Sequence, residues 1–560
     1  MPEPLALASQ ITIKVDGTEL DPEVMTRLLS VTVDQHASLP DMFTIRLQDP
    51  DLQLIDTGPL DLTKEVEISA ETAGGERVVL IKGEVTALEP EFQEGMIARL
   101  VVRGYDRSHR LFREMKSRTH VNKKDSDLAQ EIAREAGLRA DIETTTAVYD
   151  HIFQHNQSDL AFLQARARRI GFECYVQEDT LVFRSPSNDG NGVRLTWGRD
   201  LLSFTPRMNL AEQVDEVIVR GWDVGRKSAV IGRAQRGGLY PRIGESKDGA
   251  TWARDFGTGK HVIVDAGVGS QAEADRLAEA RLNEISGAFV VAEGVALRRP
   301  DIRAGRAVTL EALGDRFSGT YLVTSARHLY TAEGLRTHFS VRGLRWGQLS
   351  EALSGGAREP RYGGVVIGIV TNTDDPQHWG RVKLKFPWMT DDAESAWARV
   401  LGIGAGPDAG LYVLPEVGDE VLVAFEHGGF GQPVVLGGLW NGQDAPPPEV
   451  PSSGNERPLV RTWHSRTGHR ITMYDDADNK VEIITQGGHQ IILDDANREI
   501  TITSSGGLKI TMEDSGGKIT VEGNELQIKA NGSLKIEAGA NMDIQASGQV
   551  NIKGAMINLN

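Results

Sequence analysis

The chain has 560 residues, enough for three or four domains of about 150, and 40% of them are apolar, so several cores can be buried. With 79 acidic against 61 basic side chains the net charge is −18, which repels phosphate backbones and excludes nonspecific nucleic-acid binding. A single cysteine, Cys174, excludes a disulfide framework within one chain and any cysteine-built zinc or iron–sulfur site. The opening MPEPLALASQ has no basic segment followed by an apolar one, and no run approaches the ~20 apolar residues of a membrane span. The expectation is a chain made in the cytoplasm without a signal peptide. Glycine is 61 of 560 residues and aromatics only 6%, a balance that favours turn-rich β structure.

Residues 1–355 mix strand patterns such as ITIKVDGTEL, KEVEISAE and EVIVRGWD with a few short helices. One helix follows Asp125 and ends at Gly137. A second starts at Ser158, puts Leu160, Leu163, Ala167 and Ile170 on one face, and stops at Gly171. A third carries a capping box, Ser270 with Glu273, and runs through Leu277, Leu282 and Ile285. The reading is an α+β region of two or more subdomains.

Between 361 and 442 about five alternating segments, GGVVIGIV, GRVKLKF, AWARVLGI, GDEVLVAF and PVVLGGLW, predict a small barrel. The proline-rich stretch 441–458 has no apolar pattern and reads as a linker. From 461 onward proline disappears. Short strands ITMY, VEII, QIIL, EITIT, LKITM and KITVE are separated by turn signals such as DDADN, QGG, DDAN, SSGG and DSGG.

The spacing then becomes a strict octad, with Leu526, Leu534, Met542 and Val550 eight apart and Ile528, Ile536, Ile544 and Ile552 two residues after each. Residues i and i+2 of a strand share a face, so these eight form one apolar stripe, while Gln527, Lys535, Asp543 and Asn551 face away. Ala530, Ala538, Ala546 and Gly554 mark a corner that admits only small side chains. One chain of such octads cannot cover its own stripe; three intertwined copies close it into a core and remove open strand edges. A single-chain solenoid is the alternative, although solenoid coils normally carry several strands per turn.

Other patterns are weak as chemistry. GIGAGPDAG (402–410) has Pro407 where a dinucleotide fingerprint needs its third glycine, and GTGKH (257–261) lacks the hydroxyl residue of a phosphate loop. His151 and His155 have metal-ligand spacing only on a helix, whereas they precede the cap at Ser158 in an extended segment. His464 and His469 flank a turn. Asp475, Asp476, Asp478 and Asn479 lack the glycine and glutamate of a calcium loop. The sequence therefore supplies no catalytic, cofactor-binding or metal residue.

GRVKLKFPW (380–388), LPEVGDEVLVAFEHGG (414–429), PVVLGGLWNG (433–442) and RTWHSRTGHRITMYDD (461–476) strongly resemble the VgrG / phage baseplate V spike family of contractile injection systems. SDLAFLQARARRIGFECYV (158–176) resembles the tail-hub domain that precedes the barrel in that family. The resemblance implies a mainly β, multidomain chain: a tail-hub region over 1–355, an OB-fold barrel over 356–442, a linker and neck over 443–480, and a triple-stranded β-helix needle over 481–560. It implies a homotrimeric spike that joins tube and baseplate proteins and punctures a target membrane when the sheath contracts, with no nucleic acid and no cofactor. Met556, Ile557, Asn558, Leu559 and Asn560 would dock a PAAR-repeat tip protein. The short, effector-free form looks most like an extracellular, phage-tail-like injection particle, with a type VI secretion spike as the alternative. A spike with peptidoglycan-degrading activity, or an OB-fold nucleic-acid binder using GRVKLKFPW, are the competing functions.

Overall fold

In the computed structural model the described residues are 10–186, 190–238, 241–264, 266–343, 362–389, 394–450 and 458–559. The opening residues 1–9, the boundary near 355, part of the proline-rich stretch and Asn560 lie outside them. The chain separates into two compact units, Met1–Leu439 and Trp440–Asn560.

The first unit is organised by an eleven-stranded antiparallel sheet that joins distant parts of the sequence. Next to its middle strand, Met42–Gln48, runs Leu28–His36, which pairs on its other side with Ser325–Thr331. Val31, Val33, Phe43, Ile45 and Leu47 alternate inward along these strands and are buried, as are Val66 and Ile68 on the strand Glu65–Glu71 of the same sheet. Phe43 lies directly across from Gly104, and a Cβ there would sit 2.3 Å from the ring. Phe339 lies across from Gly294 in the other half of the sheet, where a Cβ would sit 2.4 Å away. In both halves a bare glycine lets an aromatic ring cover the strand.

Two helices, Asp125–Glu135 and Asp159–Arg169, pack their apolar faces on the strands Glu173–Gln177 and Thr180–Arg184. Ser158 starts the second helix, its Oγ accepting from the Ala161 amide at 3.3 Å. Both helices stop in the same way. Gly137 and Gly171 take positive φ of 69° and 74°, and the next amides, Leu138 and Phe172, reach back to Ala133 O and Ala167 O at 2.9 and 2.8 Å. Removing the Ser158 hydroxyl by Ser158→Ala is expected to cost about 1 kcal/mol, read as a lower urea midpoint for the full chain.

The third helix, Gln271–Gly287, covers a three-stranded sheet of Glu216–Asp223, Ser228–Ala234 and Lys260–Ile263. Ser270 caps it through the Glu273 amide at 3.3 Å, but the return half of the predicted box differs. The Glu273 carboxylate accepts from the Gly269 amide at 3.2 Å and pairs with Arg169, tying this helix to the preceding one.

Five strands between 365 and 438 close into a barrel. Val365–Asn372 pairs with Lys383–Lys385 and with Glu420–Phe425, the latter pairs with Pro433–Gly438, and that strand runs parallel to Arg399–Val400. Bridges Val382 to Ala398 and Lys385 to Glu394 complete the ring. Val370, Val382, Leu384, Val421, Val423 and Val435 fill it.

In the second unit seven five-residue strands, from Val460–His464 to Lys518–Glu522, form a single antiparallel meander. Every turn cluster read from the sequence falls at a turn between two of its strands, DDAN starting on the last residue of Gln490–Asp494. The stretch expected to be a bare linker is partly anchored. Asn441 Oδ1 accepts from the Gln443 and Asp444 amides at 2.8 Å each, and Glu449 lies 3.2 Å from Arg470 and 3.7 Å from His464. Among the described residues no helix is long and apolar enough to cross a membrane.

Candidate assembly surface

The register of the meander sorts its side chains into two opposite faces. Ile471, Ile483, Ile491, Ile502, Ile510 and Val521 stand directly across from one another in one column. Met473, Val481, Leu493, Ile500, Met512 and Ile519 form a second column beside it. The sequence predicts one buried face for these strands, yet within a single chain this face is open: Ile491 is 38% exposed and Ile519 69%. The other face carries a central row of Thr462, Thr472, Glu482, Ile492, Thr501, Thr511 and Thr520, flanked by charged residues. The first strand adds Trp463 across from Ile471 and Arg461 across from Met473, so beyond that one charged residue the uncovered face is apolar, the kind of patch that marks an interaction site.

Among the described residues the octads form no strand pairs inside the chain. Of the predicted core residues, Leu526, Ile528, Leu534, Ile536, Met542, Ile544, Val550 and Ile552, the least exposed is Met542 at 49% and the most exposed Ile544 at 70%. Leu526 turns toward the first column. With Ile483, Ile491, Ile502, Ile510 and Val521 it lines an open cleft of about 480 Å³. Met556, Ile557, Asn558 and Leu559 are exposed as well.

The turns on one edge of the meander are stitched together. Ser465, Thr485 and Ser504 hydroxyls each accept from the amide four residues on, at 3.0 Å, and Gly468, Gly488 and Gly507 supply the positive φ each turn needs. His469 Nδ1 accepts from the Gln486 amide at 3.2 Å, and His489 Nδ1 from the Ser505 amide at 3.3 Å. This links each turn to the next. The spacing of the two Gly-His pairs, 20 residues apart, is the signal that marks this ladder in the sequence.

Two of the three basic residues of GRVKLKFPW, Arg381 and Lys383, are held in ion pairs. The Asp375 carboxylate accepts from the Gln377, Trp379 and Arg381 amides at 2.9–3.2 Å and from Arg381 Nε and Nη2 at 3.1 and 2.6 Å. Lys383 pairs with Glu394 at 3.0 Å, and Arg381 stacks over Trp379. Carboxyls with raised pKa do exist, but in packed interior. Burial pushes Asp106 up to about 7, where Ser108 binds it, and burial pushes Glu173 to about 7 with Arg184 at 3.4 Å. The cavity beside Glu173 is about 30 Å³, room for a water or two and far too small for a sugar. His151 and His155 lie in the strand Tyr149–Gln157. Among the described residues no three His, Cys, Asp or Glu gather as a metal site.

The comparisons agree with this architecture. The type VI secretion system/phage-baseplate injector OB domain family model matches residues 366–440, the closed barrel. The spike protein VgrG3 of the Vibrio cholerae type VI secretion system is 27% identical over 134 residues, covering 22% of this chain and 13% of that protein. The actin cross-linking toxin VgrG1 of Vibrio cholerae is 28% identical over 133 residues, 22% of this chain and 12% of its own length. The chain thus spans about an eighth of the curated relatives it matches. A solved structure, the lidded Francisella PdpA-VgrG complex, shares the fold at 9% identity, covering 92% of this chain and 80% of that one with a TM-score of 0.52. The Alg8 N-terminal domain model matches residues 6–332, more than half of the sequence, and the chain therefore belongs to that family.

Proposed function

We propose that this chain is the central spike subunit of a contractile injection system, acting as a homotrimer and without enzymatic activity of its own. The observation that carries the reading is the two-column apolar face, continued by the octads, in a chain whose barrel matches the injector OB domain. Full burial of a Leu or Ile contributes about 1.5–3 kcal/mol, and a face this long left in water by one chain is covered when three copies wrap it round a common axis.

In this reading 1–355 is the hub that seats on tube and baseplate proteins, 356–442 the OB-fold barrel, 443–480 linker and neck, and 481–560 the needle. Leu526, Ile528, Leu534, Ile536, Met542, Ile544, Val550 and Ile552 make the needle core. Met556, Ile557, Asn558, Leu559 and Asn560 hold a PAAR-repeat tip protein. Sheath contraction drives the trimer through the target envelope, and a closed, hydrogen-bonded prism resists buckling. The chain is made in the cytoplasm and released as part of an extracellular particle. The packed surroundings of Asp106 and Glu173 support the absence of hydrolytic chemistry.

Electron microscopy of the purified full-length chain tests the proposal. Particles with a threefold end view and a thin rod at one end are expected; particles without a threefold axis contradict it.

A further inference from the structure

The strand Tyr149–Gln157 pairs with Lys116–Lys123, and its alternate residues His151, Phe153 and His155 form one face that meets the barrel. Phe430, in the barrel loop before Pro433–Gly438, sits 4.6 Å from the His155 ring and 5.2 Å from Phe153. Trp388 meets His155 edge-on at 6.1 Å, and His151 Nε2 donates to Glu394 O at 2.9 Å. Donating through Nε2 leaves Nδ1 as the bare nitrogen of a neutral imidazole. In both histidines Nδ1 is shut off from solvent and has no hydrogen-bond partner among the described residues.

We propose that His151 and His155 make the seating of the barrel on the N-terminal part a pH-responsive joint, closed while both imidazoles are neutral and released when they take up protons. A second proton on either ring would place an N–H where no acceptor stands. Burial lowers the pKa of both; at His151 the hydrogen bond to the Glu394 carbonyl offsets part of this, and the ammonium of Lys383 lowers it again. The charged groups facing His151 from the barrel are Lys383 and Glu394, paired with each other at 3.0 Å; the neighbours of His155 are the rings of Phe153, Phe430 and Trp388. The strand Lys116–Lys123 places Val121 across from His151 and Thr119 across from Phe153, neither of them charged.

The direction follows from the lowered pKa. Seating is fully stabilised above the free imidazole value of 6.5 and weakens as pH falls below it, by up to about tenfold per pH unit for each histidine. The joint therefore holds at neutral pH and loosens in an acidic compartment, freeing the barrel from the part that carries it.

Hydroxyl-radical labelling of the full-length chain, read residue by residue by mass spectrometry at several pH values between about 7.5 and 5, tests this. Buried Phe43 and exposed Phe92 are internal references in the same molecule. Labelling of Phe153 and Phe430 is expected to rise several-fold toward the Phe92 level, with a midpoint at or below 6.5, while Phe43 stays constant. The double variant His151→Gln, His155→Phe keeps the N–H donor and the ring but takes no proton, and its labelling should not change with pH. Flat labelling in the parent chain overturns the proposal. So does tighter protection at acid pH, the result of cation–π attraction to Phe430 alone. An unchanged pH response in the double variant shows that other groups open the joint. If that variant does not fold, the parent decides: a midpoint between about 5 and 6.5 supports the histidines, and labelling still unchanged at about pH 5 contradicts them.

Discussion

Substituting Ile502 by Asp is expected to abolish self-association of the chain. Ile502 stands in the middle of the first apolar column, between Ile491 and Ile510, and is 41% exposed in the single chain. The substitution therefore costs little within one copy. In a closed trimer it would set three carboxylates together in an apolar core, and an unpaired buried charge costs several kcal/mol or more. Thr503→Asp, one residue on, points to the opposite face and should leave assembly intact. The same contrast holds in the octads for Ile536→Asp against Lys535→Asp. Size-exclusion chromatography of the four variants reads it. Parental assembly of Ile502→Asp and Ile536→Asp would mean that these faces are not the ones that associate.

Asp375→Ala should destabilise the barrel by about 3–5 kcal/mol, the usual cost of removing one partner from a buried charge pair. The Asp375 side chain is 3% exposed and that of Arg381 14%, so the guanidinium would lose its counter-charge without gaining water. Three backbone amides of the loop 375–381 would lose their acceptor at the same time. The carboxyl is held well below the usual range, first by the Arg381 side chain and then by the amides. Its stabilisation is thus present above the unfolded value near 3.9 and is lost as pH falls below it. Urea unfolding followed by tryptophan fluorescence, at pH ~7 and below ~4, reads both effects, since Trp379, Trp388 and Trp397 sit in this region. A variant with the parental midpoint at pH ~7 would mean the loop is held without the carboxylate.

Features set by residues close in sequence were legible. The helices at 125–135, 159–169 and 271–287 announce themselves by Ser158, Ser270, Gly137 and Gly171, because caps are built within one turn. The barrel strands and the meander are legible because alternation and turn clusters are local signals. The octad register predicts an apolar stripe that one chain cannot cover, and its apolar residues are exposed in the single chain.

Features set by distant residues were not. Nothing local says that Leu28–His36 pairs with Ser325–Thr331, or that His151 meets Glu394 across 243 positions of sequence. Asp375 is one of 79 acidic residues, and only the folded loop shows five donors converging on it. Glu449 likewise looks like part of a featureless stretch until the meander brings Arg470 and His464 beside it.

The two units together describe a chain with well-packed cores up to the barrel and an open apolar ladder beyond it. In the proposed trimer the second unit is one third of a closed structure. Light scattering of the purified full-length chain measures it directly. A closed trimer gives a solution mass of three times 61.1 kDa that persists on dilution, whereas a mass of 61.1 kDa would contradict it.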